Sequence, residues 1–129
     1  MGSERLQRWQ LRLRTNDVET GESDAYPDVQ PLELDIEPDT AWRMARAAAE
    51  AMPRWTILDE DPGSRRIRAE ATTPVLRFTD DVWIRVEPCD GGSRVYVRSA
   101  SRIGVTDFGT NARRIRDYLS RLARTEPDG

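Results

Sequence analysis

The pattern between residues 82 and 101 constrains the fold more than any other stretch. Val82, Ile84 and Val86 alternate with Trp83, Arg85 and Glu87. Residues 88–93 then read Pro-Cys-Asp-Gly-Gly-Ser, and Val95 and Val97 alternate with Tyr96 and Arg98. A period of two puts successive side chains on opposite faces of a strand. Asp90-Gly91-Gly92 supplies the residues a tight hairpin tip needs. The chain is thus expected to form a long antiparallel hairpin with one apolar face that must be covered. On that face Val97 is followed by Ser99 and Ser101, so the apolar alternation turns polar where the strand ends.

The remaining elements follow from the same reasoning. Leu32, Leu34 and Ile36 alternate with Glu33 and Asp35 as in a half-buried strand. Pro38 and Asp39 suit the first turn of a helix running to about Met52, before Pro53. Its core face is Trp42, Ala45, Ala49 and Met52. Residues 55–59 read as a strand and 60–64 as a turn. Ile67, Ala69 and Ala71 alternate with Arg66, Arg68 and Glu70 on the next strand, which Thr72-Thr73-Pro74 interrupts. Residues 75–79 either continue that run or form a short strand. A final helix, capped by Thr106 or Asp107, carries Phe108, Ala112, Ile115, Leu119 and Leu122 on one face. The order β-α-β-β-(β)-β-α predicts an α+β two-layer sandwich, with an antiparallel sheet of about four to five strands and two helices on one face. The opposite face would carry Arg66, Arg68, Trp83, Arg85, Tyr96 and Arg98, a composition suited to solvent, to a homodimer or to a ligand.

Ahead of this, residues 15–31 are acidic and rich in turn formers, and read as a surface loop held by Tyr26-Pro27. The expected division is a basic segment and acidic loop over 1–25, one α+β domain over 26–124, and a frayed tail over 125–129. Residues 4–14 place Leu6, Trp9 and Leu13 at helical spacing, with Arg5, Arg8 and Arg12 on another face. That pattern is compatible with docking on an anionic membrane surface. No run approaches the roughly 20 apolar residues of a membrane span, so a cytoplasmic or peripheral membrane location is expected.

Composition removes several chemistries. There is no His, which excludes Ser-His-Asp and Cys-His catalysis, HExxH zinc sites and imidazole proton shuttling. The lone Cys89 sits in a turn and has no partner for an internal disulfide. No cofactor or metal is predicted. All 20 basic residues are Arg. The net charge of −3 is divided unevenly, with −10 over residues 15–61 and +6 over residues 62–124. The two regions attract each other across the fold, and a net acidic chain argues against nucleic acid as a partner.

Four stretches carry a family resemblance: Ala-Glu-Ala-Thr-Thr at 69–73, Arg-Phe-Thr-Asp-Asp-Val at 77–82, Val-Arg-Ser-Ala-Ser-Arg-Ile-Gly at 97–104, and Asp-Phe-Gly-Thr-Asn-Ala-Arg-Arg-Ile-Arg at 107–116. With Asn-Asp-Val-Glu-Thr-Gly at 16–21 and Tyr-Pro-Asp-Val-Gln-Pro at 26–31, they resemble the bacterial and plastid family called domain of unknown function 1499. The resemblance implies an α+β domain, often attached to a membrane segment, and implies no activity.

The junction between the last strand and the last helix holds the densest set of candidate functional groups. Asp80 and Asp81, as strand neighbours, point to opposite faces and cannot form a carboxylate dyad unless the backbone turns there. Arg77, Arg98 and Arg102 could converge on the start of the last helix, where Asp107 and Asn111 lie. Such a cluster is either a structural clasp, in which Arg and acid neutralise each other, or an anion site built from Arg forks. The candidate ligand-binding residues are Arg77, Asp80, Asp81, Arg98, Ser99, Ser101, Arg102, Asp107, Asn111 and Arg114. With no nucleophile–base pair in sight, the leading expectation is a non-enzymatic domain that binds a partner or a small anionic ligand at this junction. The alternatives are an enzyme using the carboxylates of Asp80, Asp81 or Asp107, and a membrane-surface module acting through residues 4–14.

Overall fold

A computed structural model describes residues 17–102 and 109–126. Its elements in chain order are β1 (Asp17–Glu19), β2 (Leu32–Leu34), α1 (Pro38–Ala51), β3 (Trp55–Asp61), β4 (Arg66–Thr72), β5 (Thr79–Cys89), β6 (Gly92–Ser101) and α2 (Thr110–Ala123). The fold is α+β. One open antiparallel sheet in the order β1-β6-β5-β4-β3 has β2 also paired to β6, and both helices pack into a single core with it.

The β5–β6 hairpin forms as its alternation requires. Val86 lies opposite Val95, Ile84 opposite Val97, Val82 opposite Ser99 and Asp80 opposite Ser101. The turn closes between Cys89 and Gly92, with Gly91 in the left-handed region at φ 79°. Gly92 is required for a different reason. A Cβ there would overlap the Leu34 carbonyl oxygen of the adjacent β2 strand.

Ile67, Ala69, Ala71, Val82, Ile84, Val86, Val95 and Val97 make the covered face of the sheet, all buried. Against them α1 contributes Ala41, Trp42, Met44, Ala45 and Ala49, and α2 contributes Ala112, Ile115, Tyr118 and Leu122. The alanines of α1 let its backbone lie close to the strands. Glu37 caps α1 by accepting from the Asp39 and Thr40 amides at 3.2 and 3.3 Å, which satisfies two of the helix's free donors.

Three local expectations are corrected. Residues 17–19, read as loop, form β1 and pair with Arg98–Ala100. Val18 and Thr20 are buried by it, and three residues are too few to show a period. Residues 75–78 form no strand. They sit in the β4–β5 connection, where Thr73 and Phe78 exchange bonds (Thr73 N to Phe78 O, 2.9 Å; Phe78 N to Thr73 Oγ1, 2.8 Å) and Arg77 turns at φ 55°. Helix α2 begins at Thr110 after Gly109 in the left-handed region at φ 83°, not at a Thr106 or Asp107 cap. Thr106, Asp107 and the amphipathic residues 4–14 lie outside the described residues.

Candidate functional site

Alternation along β5 sends the two neighbouring aspartates to opposite faces of the sheet, and two different polar constructions result. On the helix side Asp80 meets Arg114 of α2, Oδ2 to Nη1 at 2.8 Å, with the two side chains only 3% and 9% exposed. The same Arg114 Nη1 donates to Ser99 Oγ at 3.1 Å and to Asn111 Oδ1 at 2.8 Å. Ser99 donates to Asn111 Oδ1 at 2.6 Å, and Asn111 Nδ2 donates to Ser101 Oγ at 3.0 Å. The polar end of the hairpin face is thus matched by the first turn of α2. Buried polar groups need partners, and here each hydroxyl and amide finds one inside the cluster. The arrangement fastens strand to helix and leaves no opening to solvent around Asp80.

On the other face Arg102 reaches back over β5. Its Nε and Nη2 donate to the two oxygens of Asp81 at 3.2 and 3.0 Å, and Nη2 also engages Glu70 at 2.5 Å. Glu70 and Asp81 are directly opposite each other across the β4–β5 ladder. Like charges so placed repel, and Arg102 is the counter-ion that relieves them. Hydrogen bonding to Arg102 holds the Asp81 carboxyl below the usual carboxylate range, and Asp81 in turn raises the Arg102 guanidinium.

Further along this face lies an open groove of about 360 Å³. Cross-strand register lays out its floor as two rows. One runs Asp59, Arg68, Trp83, Arg98 and Glu19; the other runs Asp61, Arg66, Arg85 and Tyr96. The Arg98 guanidinium stacks on the Trp83 ring at 4.6 Å and that of Arg85 on Tyr96 at 4.0 Å. Asp17 grips Arg98 in a fork at 3.0 and 2.8 Å, and this raises the pKa of Arg98.

The rim acids are mostly engaged elsewhere. Glu60 binds Arg46 of α1, and Asp61 accepts from the Gly63 and Ser64 amides and from the Ser64 hydroxyl. Arg85 bonds Glu87 at 3.0 Å and has Glu19 at 4.0 Å, and Arg68 has Asp81 only at 3.6 Å. Arg66 stands directly opposite Arg85. Among the described residues no carboxylate lies within ion-pair distance of Arg66.

The structure therefore divides the residues singled out in the sequence. Asp80, Ser99, Ser101, Asn111 and Arg114 come together inside. Asp81 and Arg102 pair on the far face, and Arg98 lines the groove. Arg77 stands apart at the β4–β5 tip, and Asp107 lies outside the described residues. Arg66, Arg68, Trp83, Arg85 and Tyr96 were legible as one face but not as a groove. Asp17 and Glu19 join this face through β1, whose three residues carry no strand periodicity in the sequence. Among the described residues no cluster of three or more Cys, Asp or Glu could hold a metal ion.

The family model described as protein of unknown function (DUF1499) matches residues 12–122. The chain belongs to the DUF1499 family. This DUF1499 chain matches no curated protein by sequence. Its fold is similar to that in the crystal structure of Ara h 8.0201, with a TM-score of 0.56 at 9% identity, covering 82% of this chain and 93% of that one. It is also similar to that of protein CV1439 from Chromobacterium violaceum, with a TM-score of 0.52 at 16% identity, covering 88% of this chain and 99% of that one. At these identities the likeness concerns the fold of the DUF1499 chain alone. Among its described residues no helix is long and apolar enough to cross a membrane.

Proposed function

We propose that this DUF1499 domain is a non-enzymatic binding module that takes a small anionic ligand in the groove on the open face of the sheet. The carrying observation is a contrast between two like-charge cross-strand pairs. Glu70 and Asp81 share one counter-ion in Arg102. Arg85 has Glu87 at 3.0 Å and Glu19 at 4.0 Å and Arg66 stands opposite Asp61, but among the described residues no carboxylate bridges the two guanidiniums. Two guanidiniums side by side, one already held flat against Tyr96, are pre-organised for the oxygens of a carboxylate or phosphate. Little side-chain freedom is then left to lose on binding.

Carboxylate catalysis is less well supported. Asp80 is closed in by Arg114. Asp81 is held ionised by Arg102, the opposite of what a general acid at neutral pH needs. The junction itself reads as the clasp beside the site.

Titration with inorganic phosphate and with a short dicarboxylate, followed by the fluorescence of Trp83, tests this reading. The expected result is a saturable change that disappears in Trp83→Phe and needs at least about tenfold more anion in Arg66→Ser, the equivalent of roughly one lost charged hydrogen bond. No saturation with either anion, or unchanged affinity in Arg66→Ser, contradicts it.

A further inference from the structure

The end of the sheet where β4 turns into β5 carries an unusual surface. Val75 is 87% exposed, Leu76 69% and Phe78 40%. These three apolar side chains come from one four-residue run, and Leu58 is the only other large hydrophobic as open among the described residues. The loop is braced across its base by the two bonds between Thr73 and Phe78, so the tip is presented rather than collapsed. Arg77 sits within it at φ 55°, a backbone region that residues with a Cβ adopt at a steric cost.

The charges at this end favour one kind of occupant. Arg77 and Arg54, both exposed, have no carboxylate within ion-pair distance among the described residues. Arg54 lies beside the tip, its carbonyl accepting from the Thr72 amide at 3.0 Å, and it shares a cleft with Thr73 and Pro74. The nearby acids Glu70, Asp80 and Asp81 are each already paired with Arg102 or Arg114. Asp17 pairs with Ala100 and Ser101 with Asp80, which puts the start of β1 at this same end of the sheet.

We propose that this end of the molecule docks on an anionic lipid surface, with Val75, Leu76 and Phe78 entering the boundary between headgroups and acyl chains while Arg54 and Arg77 meet lipid phosphates. An exposed apolar tip flanked by two Arg side chains that have no ion-pair partner among the described residues matches the chemistry of that boundary, where apolar side chains bury and Arg heads stay at the polar level. The proposal is independent of the anion groove, which lies on the sheet face and not at its end.

Vesicle flotation of the full chain tests it, using neutral phosphatidylcholine vesicles and vesicles containing phosphatidylglycerol. The parent protein should float with the anionic vesicles, weakly or not with the neutral ones, and less as salt rises. Leu76→Asp and Val75→Asp should each cut binding by about tenfold or more, because each removes apolar burial and adds repulsion. Leu58→Asp, an exposed position in the middle of β3, should leave binding unchanged; its melting curve and those of the tip variants should match the parent. Failure of the parent to float overturns the proposal. So does undiminished flotation of both tip variants, which would assign the contact to residues 4–14 alone.

Discussion

Arg114→Ala is expected to cost about 3–5 kcal/mol of stability. The Arg114 guanidinium is nearly buried and lies 2.8 Å from the equally buried Asp80. Truncation leaves a carboxylate facing the core with no counter-ion, and takes away the donor to Ser99 and Asn111. Desolvation of the stranded charge dominates this loss. Urea unfolding measures it as a lower midpoint at similar slope. Arg102→Ala provides the internal comparison. Its side chain is 44% exposed and its charge is screened by solvent, so the loss should be clearly smaller than in Arg114→Ala. Equal losses in the two variants would mean that the clasp is not where the structure places it.

The second large effect is at Tyr118. Its ring is fully buried, stacks on Trp55 at 5.3 Å between centroids, and its hydroxyl donates to the Ala45 carbonyl at 2.7 Å. It is the largest fully buried side chain among the described residues and ties α2 to α1. Burial pushes the phenol pKa well up, so it stays a neutral donor at any ordinary pH. Tyr118→Ala should cost about 3–5 kcal/mol through the cavity left behind. Tyr118→Phe, which removes only the hydrogen bond, should cost about 1 kcal/mol. If the Phe variant loses as much as the Ala variant, the hydroxyl and not the packing holds the helices together.

Much of this architecture could be read from the chain because a period of two is unambiguous over long strands. Residues 82–86 and 95–97 established the hairpin, its covered face and its polar end. The polar end, Ser99 and Ser101, pointed to the helix residues that meet it. What escaped reading had physical reasons. Strand β1 is three residues long, two of them acidic, and it is held by pairing with β6, not by any propensity of its own. Its loss hid Asp17, the partner of Arg98. The placement of Arg77 depended on a left-handed backbone that no pattern announces. The groove depended on cross-strand register. Alternation reveals which residues share a face, but only pairing reveals that Arg66 stands against Arg85 while Glu70 stands against Asp81.

The most direct test of the account is the melting temperature of Arg66→Ser beside the parent, in low-salt buffer with and without phosphate. Relief of the Arg66–Arg85 repulsion is worth a fraction of a kcal/mol, roughly 0.2–1. The variant should therefore melt at or slightly above the parent without phosphate. Added phosphate should raise the melting point of the parent through binding and leave that of the variant nearly unchanged. A variant that melts well below the parent, with phosphate acting equally on both, would show that Arg66 is structural and that the groove is not an anion site.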